Sequence, residues 1–584
     1  SDLFPANNHP QLYYFMGWIL SQSKKYEAIY WFETAISHFM EYRKITQTGE
    51  PHAYELENWL DLFKVLFEQD YTKKMEQIMI EYATTIDTYV QKKEIRMIHV
   101  LAAYYIKTNQ LKRAENMYSI LLDPSVPKDA EMEYQIQNNS LILYSRMAKF
   151  DELHDLLKRN LTICQSMVNI PGVNQKTKQN LFCSNMLQYD YIYHDMQERQ
   201  NLCQSLVETY FPVSPHIKNH IHEKNRRIHI GYVSADILHH AVSNFILPIL
   251  ENHTKQFHVV LFMNRYYEKM MANPENLSIR EKCTIVNIEN MNTEDAVKTI
   301  REHQIDILLD LHGYTEYNRL DVFAQNPAPI QVSYLGFPNT VGSSNILQYR
   351  ITDAIADPPS SKQWWAEERI RLKGGFLLYK CIAMQRPIAP NRRYHPWIIF
   401  GAMNRESKNS PETLECWRQI LELAPHTKLL IKLSTTEDDE IHIEKYKKVL
   451  NVKEDRFIFA KYGTTEEYFY LYSCIDILLD CFPYSGTTTT CNALFNSVPV
   501  VTMQHPDLHS HNVSASILHH IGLPELITSC PDQYVDVAVK LSQDTKRLFE
   551  YRDQGLIHRK FNAWMQPKRF MEDYESALTD IMQK

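Results

Sequence analysis

Four threonines in a row, Thr487 to Thr490, follow a polar turn, FPYSG, that closes a short apolar run ending at Asp480. The stretch IDILLDCFPYSGTTTTCNALFNSVPVVTM (Ile475 to Met503) reads as strand, turn, helix and strand, the βαβ unit of a parallel sheet. The threonines fall where the helix begins, beside free backbone N–H groups and the positive end of the helix dipole. Hydroxyls and N–H groups at such a point make a site for a phosphate or pyrophosphate. The plainer account is a Thr-rich N-cap that serves only its own helix, but one cap needs one threonine.

Two further side chains have positions suited to chemistry. His240, in GYVSADILHHAVSNF, lies just after an apolar run, where loops carry functional groups. A neutral imidazole there can accept or donate a proton near pH 7. The chain holds 25 histidines, so position is what singles out His240, and His239 shares that position as second choice. Lys408, in FGAMNRESKNSPETL, follows another strand-like run and precedes a helix that Ser410-Pro411 would start. A lysine at that turn can pair with a pyrophosphate, although exposed lysines near helix starts are common. No Asp-x-Asp pair occurs, so the usual carboxylates that hold a metal on a nucleotide diphosphate are missing. The charge of a departing diphosphate then falls to lysine, hydroxyls and backbone N–H groups.

These residues need a scaffold, and the chain changes character to supply one. Residues 1–215 read as helices. GWILSQSKKYEAIYWFETAI puts Gly17, Ala28, Phe32 and Ala35 at the small and aromatic positions of a two-helix repeat. LAAYYIKTNQLKRAENMYSILLDP does so again with Leu101, Ala102, Tyr105, Ala114, Tyr118 and Pro124. The spacing resembles the tetratricopeptide (TPR) repeat, with weaker copies around Asp70 to Tyr82 and Ser140 to Leu157. A plain helical bundle uses similar residues; the quality of the second copy favours the repeat, whose concave surface suits protein partners. From Arg227 onward, Ile- and Val-rich runs alternate with helical segments. RIHIGYVS, FHVVLFM, TIVNI, DILLDL, PIQVSYLG and YRITDAIADPP form one series; WIIFGAMN, KLLIKLS, FIFAKY, IDILLD and VPVVTM form a second. Gly374 to Arg393 reads as the linker. Two such series predict two Rossmann-like, doubly wound α/β domains, 216–390 and 391–584, with the site in the cleft between them. Neither carries GxGxxG, and GxxxxGK[ST] is absent.

Composition narrows the class. The 584 residues are 44% apolar and 23% charged, as in a globular protein of several domains. A net charge of −8 gives no basic excess for nucleic acid. Ten scattered cysteines without a CxxC pair point to a reducing compartment, cytoplasmic or nucleocytoplasmic. No apolar run of about 18 residues suggests a membrane span. The expectation is no cofactor and no metal.

Six segments occur in an order that resembles the O-GlcNAc transferase and SPINDLY family of protein O-glycosyltransferases. They are GYVSADILHHAVSNF, LDLHGYTEYNRLDVFAQNPAPIQVSYLGFPNTVG, YRITDAIADPP, FGAMNRESKNSPETL, LLDCFPYSGTTTT and HSHNVSASILHHIGLPELI. SNMLQYDY (Ser184 to Tyr191) also looks like the helix preceding the catalytic region there. The resemblance implies a GT-B glycosyltransferase, metal-independent and inverting, that acts on Ser or Thr hydroxyls of intracellular proteins. Its partners would be protein substrates and a nucleotide sugar, GDP- or UDP-linked, with homodimerisation through the repeats as an option. By motif position it assigns His240 to the active-site histidine and Lys408 to the donor diphosphate. Thr487, Thr488 and Thr489 fall around the phosphates, and Pro338 lines the sugar pocket.

Departures bear on the donor. Where animal O-GlcNAc transferases place a lysine and a histidine against uridine, this chain has Thr465 and Tyr468. Arg405 replaces their glutamine near the diphosphate, Ser407 a tyrosine near the N-acetyl group, and Asn492 an aspartate on the ribose. FPYSGTTTT, HSHNVSAS and ITDAIADPP look nearer the SPINDLY branch, which uses GDP-fucose; Tyr468 departs from that branch too, and His312 fits neither. GDP-fucose is thus slightly favoured, with UDP-GlcNAc a close second. Two other readings stand beside the enzyme: a repeat-bearing binding scaffold that has lost turnover, and Asn-directed transfer. Retention of His240 and Lys408 favours the enzyme. Because no Asp-x-Asp is present, EDTA should leave transfer nearly unchanged; a large loss restored by Mn²⁺ or Mg²⁺ would refute this charge assignment.

Overall fold

The computed structural model of the chain describes residues 10–21, 25–46, 54–68, 71–108, 110–147, 149–167, 173–192, 195–215, 226–238, 240–265, 277–390, 397–433, 440–461 and 463–583. Residues up to Leu143 form one compact unit and those from Tyr144 onward a second. Among the described residues no helix is long and apolar enough to cross a membrane.

The first unit consists of helical hairpins whose small residues allow close approach. Helices Pro10–Ser21 and Lys25–Thr46 pair so tightly at Gly17 that a Cβ there would stand 2.6 Å from the Phe32 ring. Ala28, Phe32 and Ala35 are buried opposite. Helices Ile95–Lys107 and Leu111–Leu121 repeat the pattern, burying Ala102, Ala114 and Tyr118. The helices Phe150–Met167, Gln175–Ile192 and Met196–Tyr210, which the sequence groups with the repeats, belong to the second unit instead. Polar contacts explain why: Arg199 donates to the Thr340 carbonyl at 2.9 Å, and Ser343 donates to Glu208 at 2.6 Å.

The second unit holds two parallel sheets. The first contains β1 (Ile228–Ser234), β2 (Phe257–Met263), β3 (Cys283–Asn287), β4 (Ile307–Asp310), β5 (Ile330–Ser333), β6 (Tyr349–Asp353) and β7 (Glu368–Leu372), in the order β3-β2-β1-β4-β5-β6-β7. The second contains β8 (Ile398–Ala402), β9 (Thr427–Lys432), β10 (Phe457–Ala460), β11 (Ile477–Leu479), β12 (Val500–Met503) and β13 (Ile527–Thr528), ordered β10-β9-β8-β11-β12-β13. Central strands are buried on both faces, which is why they read as continuous apolar runs. Strand order reverses between β1 and β4 and between β8 and β11, and ligands of such sheets bind beyond the strand ends at these reversals. Strands β7 and β13 have no counterpart in the sequence reading. β7 is ERIRL, a charged edge strand, and β13 has only two residues.

Contacts between the two sheet layers include buried polar pairs beside a shared apolar core. The helix His509–His520, on the second sheet, presents His509 to Asp357 at 2.8 Å and Ser516 to Asp353 at 2.5 Å. The chain passes between the layers twice, and the two crossings touch. Trp564 Nε1 donates to the Gly374 carbonyl at 2.7 Å, and Asp573 accepts from the Lys373 N–H at 2.6 Å. Gly375 has φ +96°, and a Cβ there would lie 2.7 Å from the Trp564 ring, so glycine is required twice over.

The last helix, Pro567–Ile581, thereby returns to the first sheet. Its Glu575 accepts from His253 Nδ1 at 2.8 Å, from the Thr254 N–H at 2.9 Å and from the Thr254 hydroxyl at 2.8 Å. Burial raises the Glu575 pKa, but these donors outweigh it and hold the carboxyl below its usual range. Glu575→Gln should therefore cost about 1.5–3 kcal/mol, seen as a lower Tm at pH 7. A carboxylate with a depressed folded pKa stabilises above its unfolded value, near pH 4.3, and that contribution disappears as pH falls through the folded value. The gap in Tm between wild type and Glu575→Gln should close in that acid range; a gap independent of pH would show that the carboxylate charge is not what matters.

Candidate active site

At the reversal of the second sheet, Asp480 ends β11 as a fully buried carboxylate. Its Oδ1 accepts from Asn404 Nδ2 at 3.1 Å and the Gly486 N–H at 2.9 Å, and its Oδ2 accepts from Thr502 at 2.8 Å. The turn that follows is held on both sides. Ser410 and Thr413, at the start of the helix Pro411–Leu423, donate to the Phe482 carbonyl at 2.6 and 2.9 Å. Ser514 donates to the Gly486 carbonyl at 2.7 Å. This fixes the start of the helix Thr488–Phe495. Thr487 makes no side-chain bond back to that helix, so it is not a cap in the ordinary sense. Thr487, Thr488 and Thr489 are half-buried, whereas Thr490 is fully buried and bonded to Ser514 at 2.7 Å. Three of the four threonines therefore differ in kind from the fourth.

Lys408 comes from the turn Glu406–Lys408 after β8. Its ammonium lies 4.2 Å from the centre of the Tyr484 ring and 3.5 Å from the Ser485 carbonyl. Among the described residues no carboxylate stands within 4.0 Å of it, and burial lowers its pKa. The carboxylate that acts on it, Asp480, lies beyond 4.0 Å and already accepts from three donors, so this partly desolvated cation retains attraction for an anion. Lys408 and the Thr487–Thr489 turn meet at one place, with Tyr484 and Ser485 between them in the chain.

At the reversal of the first sheet, the loop after β1 carries Asp236 and His240; His239 lies outside the described residues. The His240 side chain keeps 41% of its surface open. Desolvation of the ring, reinforced by the positive charge of Arg405, nevertheless pushes its pKa down to about 4. Its Nδ1 sits 3.3 Å from the Val242 N–H and 3.4 Å from the Asp236 carboxylate. The first neighbour leaves the proton on Nε2, making His240 a donor; the second holds a proton on Nδ1 and frees Nε2 to accept one. His312, the residue that matched no branch, is buried beneath them. Its Nε2 accepts from the Ala235 N–H at 2.7 Å, and its Nδ1 faces Thr315 at 2.9 Å. It therefore shapes the β1 loop from within. The charge of Arg405 is felt at His240 and Asp236 on one side and at Lys408 on the other, so the two strand-end loops face each other.

The remaining sequence candidates divide. Arg405 is exposed at this junction, and Pro338 is half-buried in the loop after β5. Ser407 is buried. Thr465 is exposed at the start of the helix Thr465–Cys474. Asn492 and Tyr468 are drawn into each other: Asn492 Oδ1 accepts from Tyr379 at 2.5 Å, and its Nδ2 donates to Tyr468, which also bonds Tyr472 at 2.7 Å. Sequence reasoning missed Asp236, Tyr191 and Tyr484. Asp236 had a signal, four residues before His240 in the same loop; the tyrosines had none beyond lying inside the quoted motifs. Among the described residues no cluster of three His, Cys, Asp or Glu side chains is arranged to hold a metal ion.

Comparison with known proteins gives this arrangement a family. The family model of glycosyl transferase family 41 matches residues 187–389 and 390–574. A probable UDP-N-acetylglucosamine–peptide N-acetylglucosaminyltransferase SPINDLY from Petunia hybrida is 34% identical over 337 residues, which cover 56% of this chain and 36% of that protein. Its Arabidopsis thaliana counterpart is 34% identical over 348 residues, 57% and 37% of the two chains. The Arabidopsis thaliana protein SEC, described by the same enzyme name, is 27% identical over 339 residues, 55% and 34%. The match thus spans little more than a third of these relatives. A solved mutant of the Thermobaculum terrenum O-GlcNAc transferase superposes with a TM-score of 0.73 at 22% identity, covering 90% of this chain and 94% of that one. That likeness establishes the architecture, TPR-type helices followed by a GT-B pair of Rossmann-like domains. With both halves of the catalytic region matched, the chain belongs to glycosyl transferase family 41, alongside the SPINDLY and O-GlcNAc transferase proteins.

Proposed function

We propose that the chain is a protein O-glycosyltransferase that moves a single sugar, with inversion, from a nucleotide diphosphate sugar to Ser or Thr hydroxyls. The observation that carries this reading is the Lys408 ammonium, with no carboxylate within 4.0 Å among the described residues, beside the open threonine turn and facing His240 across the cleft. The acceptor hydroxyl attacks the anomeric carbon from the face opposite the nucleotide. As the C1–O bond to the phosphate breaks, charge grows on the diphosphate, where Lys408, Thr487–Thr489 and the helix N–H groups stabilise it without prior rearrangement. His240, neutral at pH 7, orients the acceptor or takes its proton with Asp236 behind it. These groups meet the charge without a metal. Arg405 adds a positive charge at the mouth, and Pro338 lines the sugar side.

GDP-fucose is the slightly favoured donor, from the SPINDLY-like motifs, and UDP-GlcNAc the close second. A thermal-shift panel of GDP, UDP, GDP-fucose and UDP-GlcNAc tests this, since a ligand bound to the folded state raises Tm. The guanine compounds should give the larger shifts; larger uracil shifts would reverse the assignment. A second reading, a scaffold without turnover, draws on one observation: Asn492 and Tyr468 spend their polar groups on each other and on Tyr379 and Tyr472, leaving the nucleoside side with fewer free contacts. Donor hydrolysis by pure protein would exclude it.

Separating the two central side chains tests the mechanism. Lys408→Ala should lower kcat by about 10²-fold or more, the scale for losing one preorganised charge stabiliser, and should weaken nucleoside diphosphate binding as well. His240→Ala should cripple transfer while changing nucleotide affinity by about 1 kcal/mol or less. Should His240→Ala lose nucleotide binding as badly as Lys408→Ala, His240 belongs to the donor side and the acceptor has been placed wrongly.

A further inference from the structure

The helix Gln175–Ile192 ends at the cleft, and its last turn carries Asp190 and Tyr191. Asp190 is clamped there. Its Oδ1 accepts from Arg199 Nε at 2.6 Å and Asn339 Nδ2 at 3.0 Å, and its Oδ2 accepts from Arg199 Nη2 at 3.0 Å. Asn339 also accepts from Gln363 Nε2 at 2.8 Å, so the end of this helix is fixed to two loops of the first sheet. The clamp leaves Tyr191 little freedom. Its ring meets that of Tyr484 edge-on, with centroids 4.8 Å apart and planes at 72°. Its hydroxyl faces the guanidinium of Arg405.

Tyr484 is thus held between two partners, Tyr191 at its edge and the Lys408 ammonium 4.2 Å from its centre. We propose that Tyr191 is a positioning residue of the donor-phosphate site, bracing the ring on which the Lys408 ammonium rests. An edge-to-face pair fixes the ring plane, and a cation over the ring is held only while that plane stays put. Lysine has a flexible four-carbon stem and no carboxylate partner here, so the ring and the Ser485 carbonyl are what define where its charge sits. The brace comes from a helix outside both sheets. The inference rests on the reading of Lys408 as the diphosphate cation, and its test separates the two.

Tyr191→Leu removes the ring and Tyr191→Phe removes only the hydroxyl; Tyr191→Met, closer in length, serves if the leucine variant does not fold. Binding of GDP and UDP is measured beside that of guanosine and uridine. Loss of the brace should weaken the diphosphates about 10-fold, or about 1.4 kcal/mol, and leave the nucleosides within about 2-fold. Tyr191→Phe should stay close to wild type in all four. The second readout needs no ligand: the pH midpoint of Lys408 acylation, followed by mass spectrometry. In Tyr191→Leu the midpoint should move away from the wild-type value, because the ammonium no longer keeps its place on the ring, and in Tyr191→Phe it should not. An unchanged Lys408 midpoint in the leucine or methionine variant, or equal weakening of nucleosides and diphosphates, overturns the proposal. If wild-type protein binds neither diphosphate, the donor reading falls, while the Lys408 midpoint still decides whether Tyr191 is the brace.

Discussion

Asp480 is a carboxylate taken wholly out of water, an arrangement that costs several kcal/mol unless hydrogen-bond donors surround both oxygens. Three donors do so, two on Oδ1 and one on Oδ2, and each arrives from a different piece of chain: Asn404 after β8, Gly486 in the turn, and Thr502 in β12. The backbone carbonyl of the same residue accepts from Tyr534 at 2.7 Å, which brings in a fourth piece, the helix Pro531–Gln543. One side chain therefore sets the distance between the strand that leads to Lys408 and the turn that leads to the threonines. The phosphate-binding geometry proposed here is inherited from that buried acid rather than from the threonines themselves.

The two halves of the cleft are electrostatically unlike. On the second sheet, the cations at the cleft are not in close ion pairs among the described residues: Lys408 rests on an aromatic face, and Arg405 is exposed beside it. On the first sheet, the carboxylate of Asp236 lies near two imidazoles whose pKa values are both pushed to about 4, mainly by desolvation. One side thus offers fixed positive charge and the other offers neutral groups able to hold or pass a proton. That division suits a reaction in which a diphosphate leaves toward one wall and a hydroxyl approaches from the other.

Much of this was legible in the sequence because parallel strands buried on both faces must be continuous apolar runs, and each such run became a strand. The strands that escaped, β7 and β13, lack that signature: ERIRL alternates charge with aliphatic residues at a sheet edge, and Ile527–Thr528 is too short to show a period. Within the site, Lys408 and the threonines were found because strand-end loops mark themselves in sequence. Asn492 shows the limit. Its motif position points to a ribose, yet its carbonyl is taken by Tyr379, 113 residues away, a contact with no local sequence trace. The helices after Tyr144 were grouped with the repeats because their residue pattern is equally helical. Which unit a helix joins depends on long-range bonds such as Arg199 to Thr340, separated by 141 residues.

The adjoining of the two crossings at Gly375 and Trp564 has a mechanical meaning. Two straps set far apart would resist every rotation of one sheet layer against the other; two straps lying side by side act as a single pivot. Any opening of the cleft then turns about that line, and displacement grows with distance from it. Contacts beside the pivot, such as His520 packed flat on the Trp564 ring at 5.6 Å, would scarcely change as the cleft works. The contact of Tyr191 with Tyr484 also bridges the layers but is not tied to that strap, so a turn about the pivot would act on the ring against which the Lys408 ammonium lies.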